Sequence, residues 1–312
     1  MEGISVNVES LRKRYGEVDA VAGVSFQVAA GHVVAVLGPN GAGKTTTIGC
    51  LTTLIRPDGG RATVMGHDVV AEAPAVRGQI AVVGQSAAVD ELLTGRENLV
   101  FFGRLLGEPA AQARKRADEL VERFDLGEVA GKPAGTYSGG TRRRLDLAVG
   151  LVVRRPVLFL DEPTTGLDPR SRQELHALIR EQRDLGVSVL LTTQQLDEAD
   201  ALADRVVVID HGRVIAEGTP DTLKAQVGGS FCVVMIADEG VRAQALAALR
   251  PSLPDAGVAD DAILVPAKGT WTLTEVVRIL DAAGIEPDDI ALRRPTLDDA
   301  FFALTADAGG AR

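Results

Sequence analysis

With 312 residues, 46% of them hydrophobic and 24% charged, the chain has the make-up of a globular protein about two domains long, which sets aside disorder and fibrous repeats. Its 33 basic and 43 acidic residues leave a net charge of −10, with no basic field to hold nucleic acid non-specifically. No apolar run approaches the ~20 residues that cross a bilayer; the best, Leu147 to Val153, is stopped by Arg154 and Arg155, and the N-terminus predicts no secretory leader.

Over the first ~225 residues short β-rich runs alternate with longer helical patterns, which predicts an α/β fold. His32–Leu37 (HVVAVL) reads as a strand running into a glycine-rich turn, with a helix over 46–54 behind it. Residues 111–124 predict another helix. Val157–Leu160 and Ser188–Leu191 are continuous apolar runs suited to a parallel sheet covered on both faces, and 170–185 is the helix between them, opening after Asp168-Pro169. Cys50 and Cys232 lie far apart without metal or redox spacing and are expected to be buried thiols in a reducing compartment.

The composition shifts at Val227-Gly228-Gly229-Ser230, a predicted linker between a first domain, 1–227, and a smaller one, 231–312. Beyond it strands at 231–237, 263–265 and 290–292 alternate with helices at 242–249, 273–283 and 296–304. The 13 acidic and 7 basic residues from Phe231 onward carry over half of the net charge. The motifs below occur once each, so there is no internal duplication.

Gly38-Pro39-Asn40-Gly41-Ala42-Gly43-Lys44-Thr45 fits the phosphate-loop pattern G-x-x-x-x-G-K-[ST], with a strand before it and a helical run from Thr46 after it. Its glycines let successive backbone N–H groups face one anion, and the helix N-terminus adds the positive end of its dipole. Lys44 is placed to neutralise the β- and γ-phosphates and the Thr45 hydroxyl to ligate Mg²⁺. A second strand ends in two carboxylates, Asp161 and Glu162. Ligands of open α/β sheets sit at the carboxyl ends of strands, so Asp161 is placed to hold Mg²⁺ and Glu162 to orient and deprotonate an attacking water. The pairing predicts an Mg²⁺-dependent NTPase.

Tyr137-Ser138-Gly139-Gly140-Thr141, followed by Arg142-Arg143-Arg144-Leu145, and Asp161-Glu162-Pro163-Thr164-Thr165-Gly166-Leu167-Asp168 resemble the ATP-binding subunit of ABC transporters over about residues 3–225. YSGG-x-RRRLDLA, LLTTQ and Leu297-Asp298-Asp299-Ala300-Phe301 are similar to the daunorubicin/doxorubicin-resistance type of exporter ATPase. The resemblance implies a cassette with a RecA-like core and a helical lobe, followed by a small α+β accessory domain. It implies that ATP is held by Gly38, Pro39, Asn40, Gly41, Ala42, Gly43, Lys44, Thr45 and Thr46, with Tyr15 stacked on adenine and Gln85 reaching Mg²⁺ and sensing the γ-phosphate. Residues 86–106 would form the lobe that receives an integral-membrane permease subunit.

Ser138, Gly139 and Gly140 precede a helical run and offer a second anion site. Two chains arranged head-to-tail with closed two-fold symmetry can each complete the other's site, so a homodimer is expected; Asp168 resembles the family's D-loop aspartate, which implies that it links the two sites. Two positions depart from the family pattern in the signature, Tyr137 and Thr141. A third is Gln194, where most of the family carries the switch histidine; as a catalytic residue beside Glu162 it can donate a hydrogen bond but cannot become cationic. The Arg142–Arg144 run is expected to be the solvated face of the signature helix, with one Arg paired to a carboxylate such as Asp146. The implied activity is ATP hydrolysis powering export of drugs or other hydrophobic small molecules through a separate membrane subunit, at the cytoplasmic face. A soluble ABC-type ATPase acting on nucleic acid or the ribosome is the alternative, disfavoured by a single cassette, no heptad array, no Cys/His cluster and an acidic balance. A nucleotide kinase would keep the phosphate loop but have no use for Ser138-Gly139-Gly140.

Overall fold

The computed structural model describes residues 3–84, 88–226, 229–259, 261–267 and 269–301. Two long strands that the sequence pattern did not disclose open the chain, β1 (Ile4–Tyr15) and β2 (Val18–Ala29). Their antiparallel pairing is interrupted by register shifts, one of them between Val8 and Leu11, where Ser10 has a φ of 48°. A shift of this kind breaks the period-two alternation by which a half-buried strand is recognised. Next come β3 (Val33–Leu37), α1 (Lys44–Leu51), β4 (Gly59–Val64), β5 (His67–Asp68), α2 (Ala73–Gln79) and β6 (Ile80–Val83). Helices α3 (Gly95–Leu105), α4 (Ala110–Arg123) and α5 (Gly139–Gly150) follow, then β7 (Val157–Asp161), α6 (Pro169–Asp184), β8 (Ser188–Thr193), α7 (Leu196–Leu202), β9 (Arg205–Asp210), β10 (Arg213–Gly218) and α8 (Pro220–Gln226).

The expected parallel sheet is present, in the order β10-β9-β3-β8-β7-β6. Only β10 at its edge runs antiparallel to its neighbour. Every residue of β3, β7 and β8 is buried, as strands covered on both faces require. A second sheet, β2-β1-β4-β5, is antiparallel. One core joins the two: Val6, Val8, Phe26 and Val28 pack with Val34, Val36, Ile48, Leu51, Phe159 and Leu190.

Helices α3, α4 and α5 bury Leu99, Ala113, Ala117, Leu120 and Leu145. Thr94 and Glu97 close a reciprocal capping box at the start of α3. Asn98 is fully buried with its amide satisfied by the Asp90 backbone, accepting from its N–H at 2.8 Å and donating to its carbonyl at 2.9 Å.

The chain divides into two compact units after Pro220, ahead of the linker expected at 227–230; Val227 and Gly228 lie outside the described residues. The second unit runs β11 (Ser230–Met235), α9 (Glu239–Leu249), β12 (Gly257–Ala259), β13 (Ala262–Ala267), α10 (Thr270–Ala282) and β14 (Asp289–Arg293). Its β-α-β-β-α-β order and sheet order β12-β13-β11-β14 form a ferredoxin-like split βαβ sandwich. Its core gathers Cys232, Val234, Ala245, Leu249, Ile263, Val265, Val276 and Leu280. The last expected helix is seen over 297–301; its continuation to 304 lies outside the described residues.

Candidate nucleotide site

Strand β3 ends at Leu37 and delivers the loop 38–45 at the carboxyl end of the parallel sheet, between the ends of β8 and β9. Close packing fixes the loop. A Cβ on Gly38 would lie 2.2 Å from the Ile209 carbonyl oxygen, and one on Gly43, at φ 103°, equally close to that of Ala20. Glycine is therefore required at both positions. Gly212 donates its N–H to the Ala42 carbonyl at 3.0 Å, tying the loop to the β9–β10 turn.

Lys44 turns inward and is only 4% exposed. Its Nζ donates to the carbonyls of Gly38 at 2.8 Å and Pro39 at 3.1 Å, and lies 3.6 Å from Glu162 Oε1. Burial lowers its pKa from the usual 10.5, against the opposing pull of Glu162 and Asp161. Thr45 and Thr192 both donate to Asp161 Oδ1, at 3.3 and 2.5 Å. The Asp161 carboxylate is thus buried and aimed by two hydroxyls, one from the phosphate loop and one from β8.

Glu162 is held in a left-handed backbone conformation, φ 48°, which costs a non-glycine residue roughly 1–3 kcal/mol. Its N–H donates to both the carbonyl and the hydroxyl of Thr192, each at 3.1 Å. The kink separates its carboxylate from that of Asp161, which continues the strand. Gln194 Nε2 donates to Glu162 Oε1 and to Asn40 Oδ1, both at 2.8 Å. Asn40, Lys44, Thr45, Asp161, Glu162 and Gln194 therefore converge at one end of the sheet. Tyr15 stands at the end of β1, 49% exposed, with the Lys13 ammonium 5.5 Å from its ring centroid. Gln85 lies outside the described residues.

Ser138 caps α5, accepting the Thr141 N–H at 3.2 Å. A Cβ on Gly140 would sit 3.9 Å from Asp168 Oδ2, so the start of α5 lies beside the N-cap of α6. Asp168 accepts the Ser171 N–H at 2.9 Å, and this bond foremost holds its carboxyl below the ordinary 3.8.

The arginine run is not a solvated face. Arg142 bonds Glu91 and the Gly135 carbonyl; Arg144 bonds the Phe124 and Asp125 carbonyls. Arg143 is the most enclosed, its side chain 10% exposed, and pairs with Asp146 at 3.0 Å. Burial pushes the Asp146 carboxyl up and the Arg143 guanidinium down, each partly offset by its bonds, the Ala88 N–H to Asp146 among them. Sequence reasoning also passed over Thr192 and the buried Glu198, which accepts from Thr164 at 3.2 Å and lies 3.7 Å from His176. Only the strand-end position of Thr192 could have signalled a site role.

Comparison with known proteins supplies the family. Residues 21–165 match the family model described as ABC transporter. The chain is 53% identical to daunorubicin resistance ATP-binding protein DrrA3 of Streptomyces coeruleorubidus, covering 98% of each chain. It is 51% identical to doxorubicin resistance ATP-binding protein DrrA of Mycobacterium tuberculosis, covering 98% of this chain and 95% of that one. Among solved structures it is similar to cbiO1 of Clostridium perfringens, part of the ABC transporter complex cbiONQ, with a TM-score of 0.65 and 27% identity over 81% of this chain and 97% of that one. Identity at this level along nearly the whole chain, joined to a phosphate loop facing two separately aimed carboxylates, places it among the ATP-binding subunits of ABC transporters of the daunorubicin/doxorubicin-resistance type, and it is an ATPase of that family.

Proposed function

We propose that the chain hydrolyses ATP with Mg²⁺ at a site completed by a second copy of itself, and so drives export of drug-like hydrophobic molecules through a separate integral-membrane permease at the cytoplasmic face. The observation that supports this reading is the 3.6 Å approach of Lys44 to Glu162 beneath the loop, the cation we assign to the phosphates beside the carboxylate we assign as general base. Loop N–H groups and Lys44 would bind the β- and γ-phosphates. Thr45 and Asp161 offer the oxygen donors that Mg²⁺ favours, and when bound that ion would neutralise charge on the phosphates. Glu162, aimed by Gln194 and by its Thr192 anchor, would take the proton of the attacking water.

Ser138, Gly139 and Gly140 would meet the γ-phosphate of the facing copy, with Asp168 beside them. Support for a permease partner comes from the relatives, named for drug resistance, and from a structural neighbour that is part of a transporter complex. No helix among the described residues is long and apolar enough to cross a membrane. The exposed Leu92, Phe101 and Leu105 on and before α3 are the surface we assign to the permease.

The test is the molar mass of the Glu162→Gln variant in solution, with and without ATP and Mg²⁺. A nucleotide-dependent doubling that Ser138→Arg abolishes is the expected result. A doubling indifferent to Ser138→Arg, or a strict monomer at saturating ATP even with the permease present, overturns the composite site.

A further inference from the structure

Arg143 lies where three parts of the first unit meet. From α5 its Nε donates to the Pro163 carbonyl at 3.1 Å, its Nη2 to that of Glu162 at 3.4 Å, and its Nη1 to that of Gly84 at 2.7 Å. Asp146, one turn further along α5, takes a fourth bond at 3.0 Å and accepts the Ala88 N–H at 2.8 Å. Two groups of opposite charge are thus buried without touching the loop 38–45, and the guanidinium is satisfied chiefly by main chain. Taking such a pair out of water is costly, and fold stability alone is weak grounds for it.

Its position supplies a better reason. Glu162 is strained at φ 48°, and a strained residue stays put only where its surroundings over-determine it. Thr192 holds its N–H from one side. Arg143 holds the following peptide from the other, since the carbonyls of Glu162 and Pro163 both face the guanidinium. The planar fork is needed to reach carbonyls in several directions from one rigid position, which a lysine ammonium does not do. We infer that Arg143, locked by Asp146, is a positioning residue for hydrolysis, fixing the main chain after Glu162 and so the aim of its carboxylate. The inference rests on Glu162 acting as the base in the proposed reaction.

The test is a double-mutant cycle of wild type, Arg143→Lys, Glu162→Gln and the double variant, read by steady-state kinetics, with single-turnover rates for the slow proteins. Arg143→Lys should lower kcat by about tenfold or more, the scale on which small misplacements act, with KM and the Kd of a fluorescent ATP analogue within about twofold. In the Glu162→Gln background the same change should be silent, because a residue acting through a carboxylate has nothing to aim once that carboxylate is gone. Losses that multiply, or a kcat within about twofold of wild type, overturn the inference while leaving the functional reading intact. If Glu162→Gln alone hydrolyses ATP at the wild-type rate, the reading fails and the inference with it. Asp146→Asn, which keeps an acceptor for Ala88, decides the matter should Arg143→Lys not fold: its kcat loss must vanish in the Glu162→Gln background too.

Discussion

The Gln194 side chain donates to the Glu162 carboxylate at 2.8 Å and, through the same nitrogen, to Asn40 in the phosphate loop. A neutral amide therefore links the proposed base to the loop that would hold the γ-phosphate, where most of the family uses an imidazole. An amide does not titrate. Turnover should consequently lack an inflection near about 6.5, the ordinary histidine value. Gln194→His should introduce one, visible in kcat between pH 5.5 and 8. An inflection already present in wild type and unmoved by the substitution would contradict this role for Gln194.

Lys44 makes its own test of the loop. Lys44→Met keeps the length and apolar stem of the side chain but removes the cation and its bonds to the Gly38 and Pro39 carbonyls. ATP affinity should fall by tenfold or more, a loss of about 1.4 kcal/mol or above. Thermal melts give the reading: the variant should stay folded yet gain clearly less stabilisation than wild type from the same ATP concentrations.

Much of the cassette was legible because its sheet is parallel and doubly covered. The apolar runs at 157–160 and 188–191 are strands within a residue or two of their observed ends, and the phosphate loop announces itself by residue type. The opening hairpin was not, because the shift at Ser10 and the half-exposed far ends of β1 and β2 break the alternation. Arg143 illustrates a deeper limit. Three arginines in a row look solvated by charge alone, and only the arrival of the Gly84, Glu162 and Pro163 carbonyls from distant segments makes burial of one of them tolerable. Conversely the kink at Glu162 is carried by its surroundings, so no local propensity discloses it.

In the second unit Asp299 organises the turn before the last helical residues. It accepts the Thr296 N–H and hydroxyl, each at 2.9 Å, and pairs with Arg293 at 3.1 Å. The Thr296 backbone bond foremost lowers its pKa from 3.8. With the folded value below the unfolded one, its contribution to stability is full above about pH 4 and is lost as pH falls through the folded pKa. Asp299→Asn should therefore melt below wild type at pH 7, and the gap should close as pH falls through the folded value. A gap that persists undiminished at acid pH would show that the carboxylate charge is not what matters.

The permease surface can be separated from the chemistry. Phe101 is 49% exposed on α3 and stacks edge-on against Phe102 with ring centroids 5.4 Å apart. Phe101→Asp removes an apolar contact from the face we assign to the partner without touching the loop or the carboxylates. Hydrolysis by the isolated chain should stay within about twofold of wild type, since surface changes away from the site rarely exceed ~0.5 kcal/mol. Co-purification with the permease should be lost. Retained co-purification would move the contact elsewhere.

Gly139 tests the second anion site most sharply, because the fold of a single chain has no use for a glycine there. A Cβ at Gly139 would meet nothing within 4 Å, and the residue opens α5 directly after the Ser138 cap. Glycine within a helix is about 1 kcal/mol worse than alanine, and an acidic residue in the first turn gains from the helix dipole. Gly139→Asp should accordingly leave the melting temperature of the isolated chain unchanged or slightly raised, and nucleotide binding at its own loop intact. The same carboxylate would face the γ-phosphate held by a second copy, where like charges repel and the backbone approach is blocked. We expect kcat to fall by more than about tenfold, and the ATP-dependent doubling of mass in the Glu162→Gln background to disappear. A stable Gly139→Asp chain that still doubles and hydrolyses like wild type would mean that α5 faces something other than phosphate.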